Sequence, residues 1–206
     1  MKFSEYIGSQ FGEPRGLVGK ICCLIMNRIN RAMYKNILMQ LGTKKYFGNK
    51  NILDIGCGNG YMIKKLYRRT GAYIYGTDIS EDMVLAAKKR NKKAVDKGKL
   101  SVSQGDVCTL DFESGSMDIV TSVNTIYFWS SPQQGMEEIC RVLKKGGVFY
   151  NAVYSKQWLQ KLSYTKKGFR FFELEDYTEL GRKAGFSKVT INETVRGKSF
   201  CITYIK

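Results

Sequence analysis

The 206-residue chain contains no histidine. That absence removes Ser-His-Asp and Cys-His relays, a histidine general base and mixed Cys/His zinc sites from its chemistry. Cysteine is present at Cys22, Cys23, Cys57, Cys108, Cys140 and Cys201, but no pair is spaced C-x-x-C. No metal is expected, and the pattern suits reduced thiols in a cytoplasmic protein. The N-terminal "MKFSEYIGSQFGEPRG" lacks the apolar core of a secretory leader. Leu17–Met26 is interrupted by Lys20 and is too short to span a bilayer, so no membrane partner is expected. Acidic residues are also scarce. Eighteen Asp and Glu stand against 34 Lys and Arg, giving +16 and a pI near 9.6. Such a surplus suits a polyanion partner. It is uneven, however: residues 101–150 hold three Lys/Arg and six Asp/Glu. Lysine outnumbers arginine 24 to 10, and the surplus reads first as compositional bias.

Hydrophobic residues make up 43% of the chain, enough for one domain with a sizeable core. Val18, Ile21, Cys22, Ile25, Ile29, Met33 and Ile37 recur at three- and four-residue steps. They predict one long amphipathic helix from Leu17 to about Leu41, with these residues inward and Lys20, Arg28, Arg31 and Lys35 outward. Pro14 and Gly16 mark its start and Gly42 its end. Adjacent Cys22 and Cys23 could suggest a metalloid site, but neighbours on a helix diverge by about 100°, so core packing is the better reading. Beyond the helix, strands are expected at 50–55, 72–77, 99–104, 118–124, 147–153, 187–194 and 199–205. Helices are expected at 60–69, 81–94, 132–143 and 173–184. This alternation implies an α/β fold with a mostly parallel sheet covered on both faces. The short "RGK" turn makes the last two strands antiparallel.

The stretch "NILDIGCGNGYMIKKLYRR" sets Gly56, Gly58 and Gly60 between a buried strand and an amphipathic helix. Glycine lets another group approach the main chain closely, and a helix N-terminus lies behind the loop. The unit is therefore a ligand cradle. The second strand, "AYIYGTDIS", ends in Asp78, 22 residues after Gly56. An acid at that place can accept both ribose hydroxyls of a nucleoside. The third ends in "SQGDVCTL", where Asp106 could accept from an adenine amino group with Val107 against the ring. All three strand ends belong to the carboxyl edge of the sheet, where open α/β folds bind ligands.

With these residues in place, the chain resembles the class I S-adenosylmethionine-dependent methyltransferases, and among them the small bacterial type 11 group. "LDIGCGNG", "YGTDIS", "QGDV", "MDIVTSVNTIYFW" and "RVLKKGGVF" resemble five family motifs in order, from about Asn51 to Lys206. Lys145 stands where the family commonly has proline. The resemblance implies a Rossmann-like fold whose seven-stranded, mostly parallel sheet has an antiparallel last strand. The cofactor it implies is S-adenosyl-L-methionine. Asp54, Gly56 and Gly58 would hold its methionine end, and Asp78 its ribose, with Ile79 beside the adenine. Asp106 and Val107 would read the adenine edge, and Asn124 would face the sulfonium. Cys57, Gly60 and Met83 complete the expected cofactor set; Cys57 reads as a small residue fitting a tight loop rather than a nucleophile. Dinucleotide binding is disfavoured because the loop is G-x-G-x-G and no second nucleotide-binding half follows.

Methyl transfer from a sulfonium is an in-line displacement that depends on alignment and exclusion of water. The expected catalytic residues are Asn124 and Tyr127, and the expected acceptor pocket is Tyr34, Tyr127, Phe128 and Trp129. The run Asn124-Thr125-Ile126-Tyr127 lacks the two prolines of the Asn/Asp-Pro-Pro-Tyr motif that clamps nucleic-acid bases. A small-molecule acceptor is therefore favoured. An RNA- or ribosome-directed enzyme and a non-catalytic S-adenosylmethionine-binding protein are the alternatives. Residues 1–42 are expected to form a helical lid hinged near Gly12, Pro14 and Gly16, with Asn27, Asn30 and Tyr34 reaching inward, over a core of residues 43–206. The assembly is expected to be a monomer or homodimer.

Overall fold

A computed structural model describes residues 3–41 and 47–206. Seven strands form one sheet in the order β3-β2-β1-β4-β5-β7-β6. They are β1 (Asn51–Ile55), β2 (Tyr73–Asp78), β3 (Leu100–Gln104), β4 (Met117–Val123), β5 (Leu143–Tyr154), β6 (Lys188–Val195) and β7 (Ser199–Ile205). β7 runs antiparallel to both β5 and β6, and the other pairings are parallel. The expected sheet, including the reversed last strand, is present.

After the N-terminal helices the chain enters the sheet at an inner strand, β1, between β2 and β4. From β1 it passes through α4 (Tyr61–Thr70) to β2 and through α5 (Glu81–Arg90) and α6 (Lys92–Val95) to β3. It then returns to the other side of β1 for β4, and passes through α7 (Pro132–Val142) to β5. Right-handed crossovers taken in opposite directions place their helices on opposite faces. Accordingly α4 packs on β2 and α5 on β2 and β3, whereas α7 packs on β5 and on α9 (Leu174–Lys183), which follows the short α8 (Lys156–Gln160). Between the carboxyl ends of β1 and β4 the winding reverses, which opens a crevice at that edge. Ile52, Leu53, Ile63, Leu66 and Ile74 are fully buried between sheet and helices. Each such side chain is worth about 1.5–3 kcal/mol against exposure. At the opposite edge, Asp118 accepts hydrogen bonds from the Asn51 N–H and from Nζ of Lys50 and Lys144, tying β1 to β4 and β5.

The N-terminal region differs from the single helix expected. It consists of α1 (Phe3–Gly12), α2 (Gly16–Ile29) and α3 (Arg31–Gln40). α1 was not foreshadowed by an apolar period. The break between α2 and α3 falls at Asn30, whose side chain is buried and accepts from Asn124 Nδ2 (2.7 Å) and from the Tyr154 hydroxyl (3.1 Å). The tertiary bonds of that one amide set the bend, which no local breaker signals. The inward face is also not the one expected. Gly19, Cys22 and Cys23 are buried, whereas Ile21, Ile25 and Ile29 are exposed. Small residues let α2 lie close on the core, with Cys23 Sγ 3.3 Å from Met83 Sδ, and this close seating turns the larger side chains outward. The expected helix end at Gly42 and the 42/43 boundary lie outside the described residues. The expected helix 81–94 divides at Asn91, whose buried amide donates to the Gly60 and Ala87 carbonyls.

Candidate active site

The crevice holds a cavity of about 390 Å³. Its floor comes from three strand ends. β1 contributes Ile55, Gly56, Cys57 and Gly58; β2 contributes Thr77, Asp78 and Ile79; β3 contributes Gly105, Asp106 and Val107. The end of β4 supplies Asn124, Thr125, Phe128 and Trp129, and the N-terminal helices supply the roof, including Phe11, Glu13, Met26, Asn27, Asn30 and Tyr34.

The glycine loop is built as a cradle. Gly58 has φ +52, and a Cβ there would meet only Cys23 Sγ, at 3.7 Å, so it would stand in the open cavity. The Gly58 N–H donates to Asp78 Oδ2 (2.7 Å), and the Ser80 N–H donates to Asp78 Oδ1 (3.0 Å). Burial pushes the Asp78 carboxyl above its usual range, and these two N–H groups pull in the other direction. Gly60 faces away from the cavity: a Cβ there would lie 2.9 Å from Ala87 in α5. The third glycine thus serves close packing of the loop on α5. Cys57 is buried with its sulfur 3.0 Å from where a Gly76 Cβ would be. Burial, then the Asp78 and Asp54 charges, raise its thiol well above the ordinary value, which keeps it protonated and poorly nucleophilic.

Asp54 lies beneath the loop rather than on the cavity wall. Its Oδ1 accepts from Thr121 Oγ1 (2.5 Å), and burial pushes its carboxyl up to about 7 against the Thr121 hydrogen bond. Met83 is also off the wall, fully buried under α2 beside Cys23. Asp106 and Val107 line the cavity; Asp106 Oδ1 accepts from the Cys108 N–H and so fixes the turn after β3. Ile79 lines the mouth and is half exposed.

Asn124 adopts φ +59, a left-handed conformation that asparagine tolerates better than most residues. This sharp turn aims its amide at Asn30 and away from the strand axis. The Tyr127 hydroxyl lies 3.3 Å from Asn124 Oδ1 and accepts from the Tyr154 N–H (2.5 Å). Burial raises the phenols of Tyr127, Tyr154 and Tyr34 above their usual value, so each stays protonated. Of the four expected acceptor residues, Tyr34, Phe128 and Trp129 face the main cavity. Tyr127 instead lines a smaller chamber of about 30 Å³ beside it, along with Phe11, Phe128, Tyr154, Tyr164 and Phe169. The rings pack against one another, Phe128 on Phe169 at 4.6 Å and Phe11 on Tyr164 at 4.7 Å between centroids. No charged side chain lines this annex. Tyr154, Tyr164 and Phe169 were missed in the sequence; an aromatic cluster in the irregular stretch before α9 was the available signal.

The roof is tied to the floor by polar links. Ser80 Oγ donates to the Pro14 carbonyl (2.7 Å), the Gly16 N–H donates to Asp82 (2.7 Å), and Asn27 Nδ2 donates to Asn59 Oδ1 (3.0 Å). The Tyr34 hydroxyl donates to Asn27 Oδ1 (3.2 Å).

Residues 53–151 match the model of a methyltransferase domain. An uncharacterised methyltransferase of Bacillus subtilis is 32% identical over 125 residues, covering 60% of this chain and 65% of that one. A demethylmenaquinone methyltransferase of Leptospira interrogans is 29% identical over 147 residues, 69% of this chain and 57% of the relative. The chain thus spans less than two thirds of the length of these curated relatives. A solved S-adenosylmethionine-dependent methyltransferase of Aquifex aeolicus shares the fold, with TM-score 0.70 and 18% identity, covering 99% of both chains. The domain match, the ordered strand-end motifs and this shared fold agree: residues 53–151 form a methyltransferase domain, and the chain is similar to the class I S-adenosylmethionine-dependent methyltransferases.

Proposed function

We propose that the chain binds S-adenosylmethionine in the 390 Å³ cavity and transfers its methyl group to a small, uncharged acceptor whose reacting end enters the aromatic annex. The observation that carries this reading is the annex itself, a chamber beside the strand-end cavity that shares Phe11, Asn124 and Phe128 with it and is lined by aromatic, apolar and amide side chains with no charge. The cavity falls within the range of about 300–1,000 Å³ usual for small-molecule sites. Gly58 leaves its side of the cavity free for a ligand, and Asp78 and Asp106 line the same cavity, which supports reading them as acceptors for ribose and adenine. Bound there, S-adenosylmethionine supplies an electrophilic methyl group.

The chain's own contribution is then alignment and dryness. Asn124 fixes the β4 corner between cavity and annex. Phe11, Phe128 and Phe169 exclude water from the acceptor side. Tyr127 and Tyr154, held protonated, donate hydrogen bonds and do not abstract a proton. An acceptor that needs no strong base, or one that loses its proton after transfer, suits such a site. The Leptospira relative's named substrate, a quinone, is of this uncharged ring class.

The test uses S-adenosylmethionine labelled in the methyl group, with total cellular extract as acceptor. Label should pass into an organic-soluble, ribonuclease-resistant small molecule. Label confined to RNA would overturn the reading in favour of a nucleic-acid enzyme, and no transfer to any fraction would favour a binding protein without catalysis.

A further inference from the structure

Helix α2 is apolar on two opposite sides. Its inner side, Gly19, Cys22, Cys23 and Met26, lies on the core and the cavity. Its outer side carries Leu17, Ile21, Leu24, Ile25 and Ile29, each between 44% and 73% exposed. At 3.6 residues per turn these five fall within an arc of about 140°. A helix that is apolar all round is ordinarily buried on all sides. Exposed cations accompany the stripe, Lys20 and Arg28 on α2 and Arg31 and Lys35 on α3, and residues 16–40 contain no Asp or Glu.

We propose that α2 docks onto an anionic lipid-bilayer surface, with the leucine–isoleucine stripe in the headgroup–acyl boundary and the four cations among the headgroups. Three observations select this occupant. The stripe and its accompanying cations combine apolar insertion with attraction to anionic lipid. Arg28 falls within the apolar arc, where a long side chain can bury its stem and lift its charge to the headgroups. A two-fold contact with a second copy would set the cations of one α2–α3 segment against those of the other, with no acid in either to pair them. No helix among the described residues is long and apolar enough to cross a membrane, so the docking is peripheral. The surface is continuous with the cavity region: Ile29 belongs to the exposed stripe and also lines the aromatic annex. Docking would therefore bring the acceptor side of the molecule to the lipid. The proposal does not depend on which acceptor is methylated.

The experiment is co-sedimentation of the full chain with vesicles of phosphatidylglycerol and phosphatidylcholine in roughly a 3:7 ratio, beside vesicles of phosphatidylcholine alone. The chain should pellet with the mixed vesicles, much less with the neutral ones, and less at high salt. The triple variant Leu17→Gln, Ile21→Gln, Leu24→Gln changes exposed residues outside the cavity. It should keep its melting temperature and lose vesicle affinity at least about ten-fold, since each buried aliphatic side chain alone is worth more than that factor. Arg28→Gln with Arg31→Gln gives a second arm and should reduce both binding to the mixed vesicles and its salt dependence. A wild-type chain that stays in the supernatant overturns the proposal. So does equal binding by the glutamine triple, which would mean attraction by overall charge alone. A wild-type dimer that the triple variant dissolves would also overturn it, by assigning the stripe to a second copy.

Discussion

Asp54 keeps a proton that an exposed aspartate would have lost. Its carboxyl sits at about 7 in the folded chain, against 3.8 when unperturbed, with burial as the main cause. The folded state therefore binds this proton more tightly than the unfolded one. The resulting stabilisation is full below pH ~4 and is lost as pH rises through about 7. An Asp54→Asn variant retains an acceptor for Thr121 and does not titrate. In the unliganded protein it should be more stable than wild type by a few kcal/mol at pH 8, with a gap that closes toward pH 4. Denaturant unfolding across that range measures it, and a gap independent of pH would remove Asp54 as the source. Asn124 offers a separate test. Alanine at φ +59 costs about 1–2 kcal/mol of backbone strain and loses the links to Asn30 and Tyr127, about 1 kcal/mol each. Asn124→Ala should thus lower unfolding free energy by roughly 3–4 kcal/mol. Asn124→Gly should lower it by less, since glycine relieves the strain but not the lost bonds. Equal losses in urea titrations would mean the backbone conformation carries no cost.

Among the elements, α2 and α3 carry the clearest expectation. They roof the cavity through Met26, Asn27, Asn30 and Tyr34. α3 is fixed by its buried Met33 and Ile37 and by the bonds of Asn30 to Asn124 and Tyr154, whereas α2 is tied to the floor by single hydrogen bonds at Pro14, Gly16 and Asn27. A helix joined by so few polar links should open locally at modest cost and be held by a ligand that touches both roof and floor. Adding S-adenosylhomocysteine should slow amide exchange across residues 16–29 and leave α9 unchanged as an internal reference. Identical exchange across residues 16–29 with and without ligand would make α2 a fixed packing helix. The same region shows where the sequence was illegible. The three- and four-residue period of Ile21, Ile25 and Ile29 is real, but period alone does not say which of two apolar sides meets the core. Here the side with smaller residues does, because it permits close approach. The kink at Asn30 depends on partners 94 and 124 residues away, Asn124 and Tyr154. The strand ends were legible for the opposite reason: each motif couples a local turn to a buried strand, so Gly58, Asp78 and Asp106 reach one cavity once the parallel order is known.

Over the whole molecule, the densest basic run lies away from the cavity. Lys88–Lys99 carries seven Lys/Arg and leads into the amino end of β3, at the opposite end of that strand from Asp106. Lys92 pairs with Asp96, and Lys99 Nζ lies 3.6 Å from the Tyr73 ring centre. Replacing Lys88, Lys89, Lys92 and Lys93 with glutamine should leave small-acceptor turnover nearly unchanged; a steep loss, with activity that falls sharply with salt, would point to a phosphate-bearing acceptor. Everything in the account depends on the three strand ends forming one nucleoside site beneath the N-terminal helices. Titration calorimetry with S-adenosylmethionine tests that most directly. The wild-type chain should bind one equivalent, and Asp78→Ala should weaken binding by roughly 1.5–3 kcal/mol, about ten- to 150-fold. A wild-type chain that binds none, or an Asp78→Ala variant that binds as tightly as wild type, would contradict it.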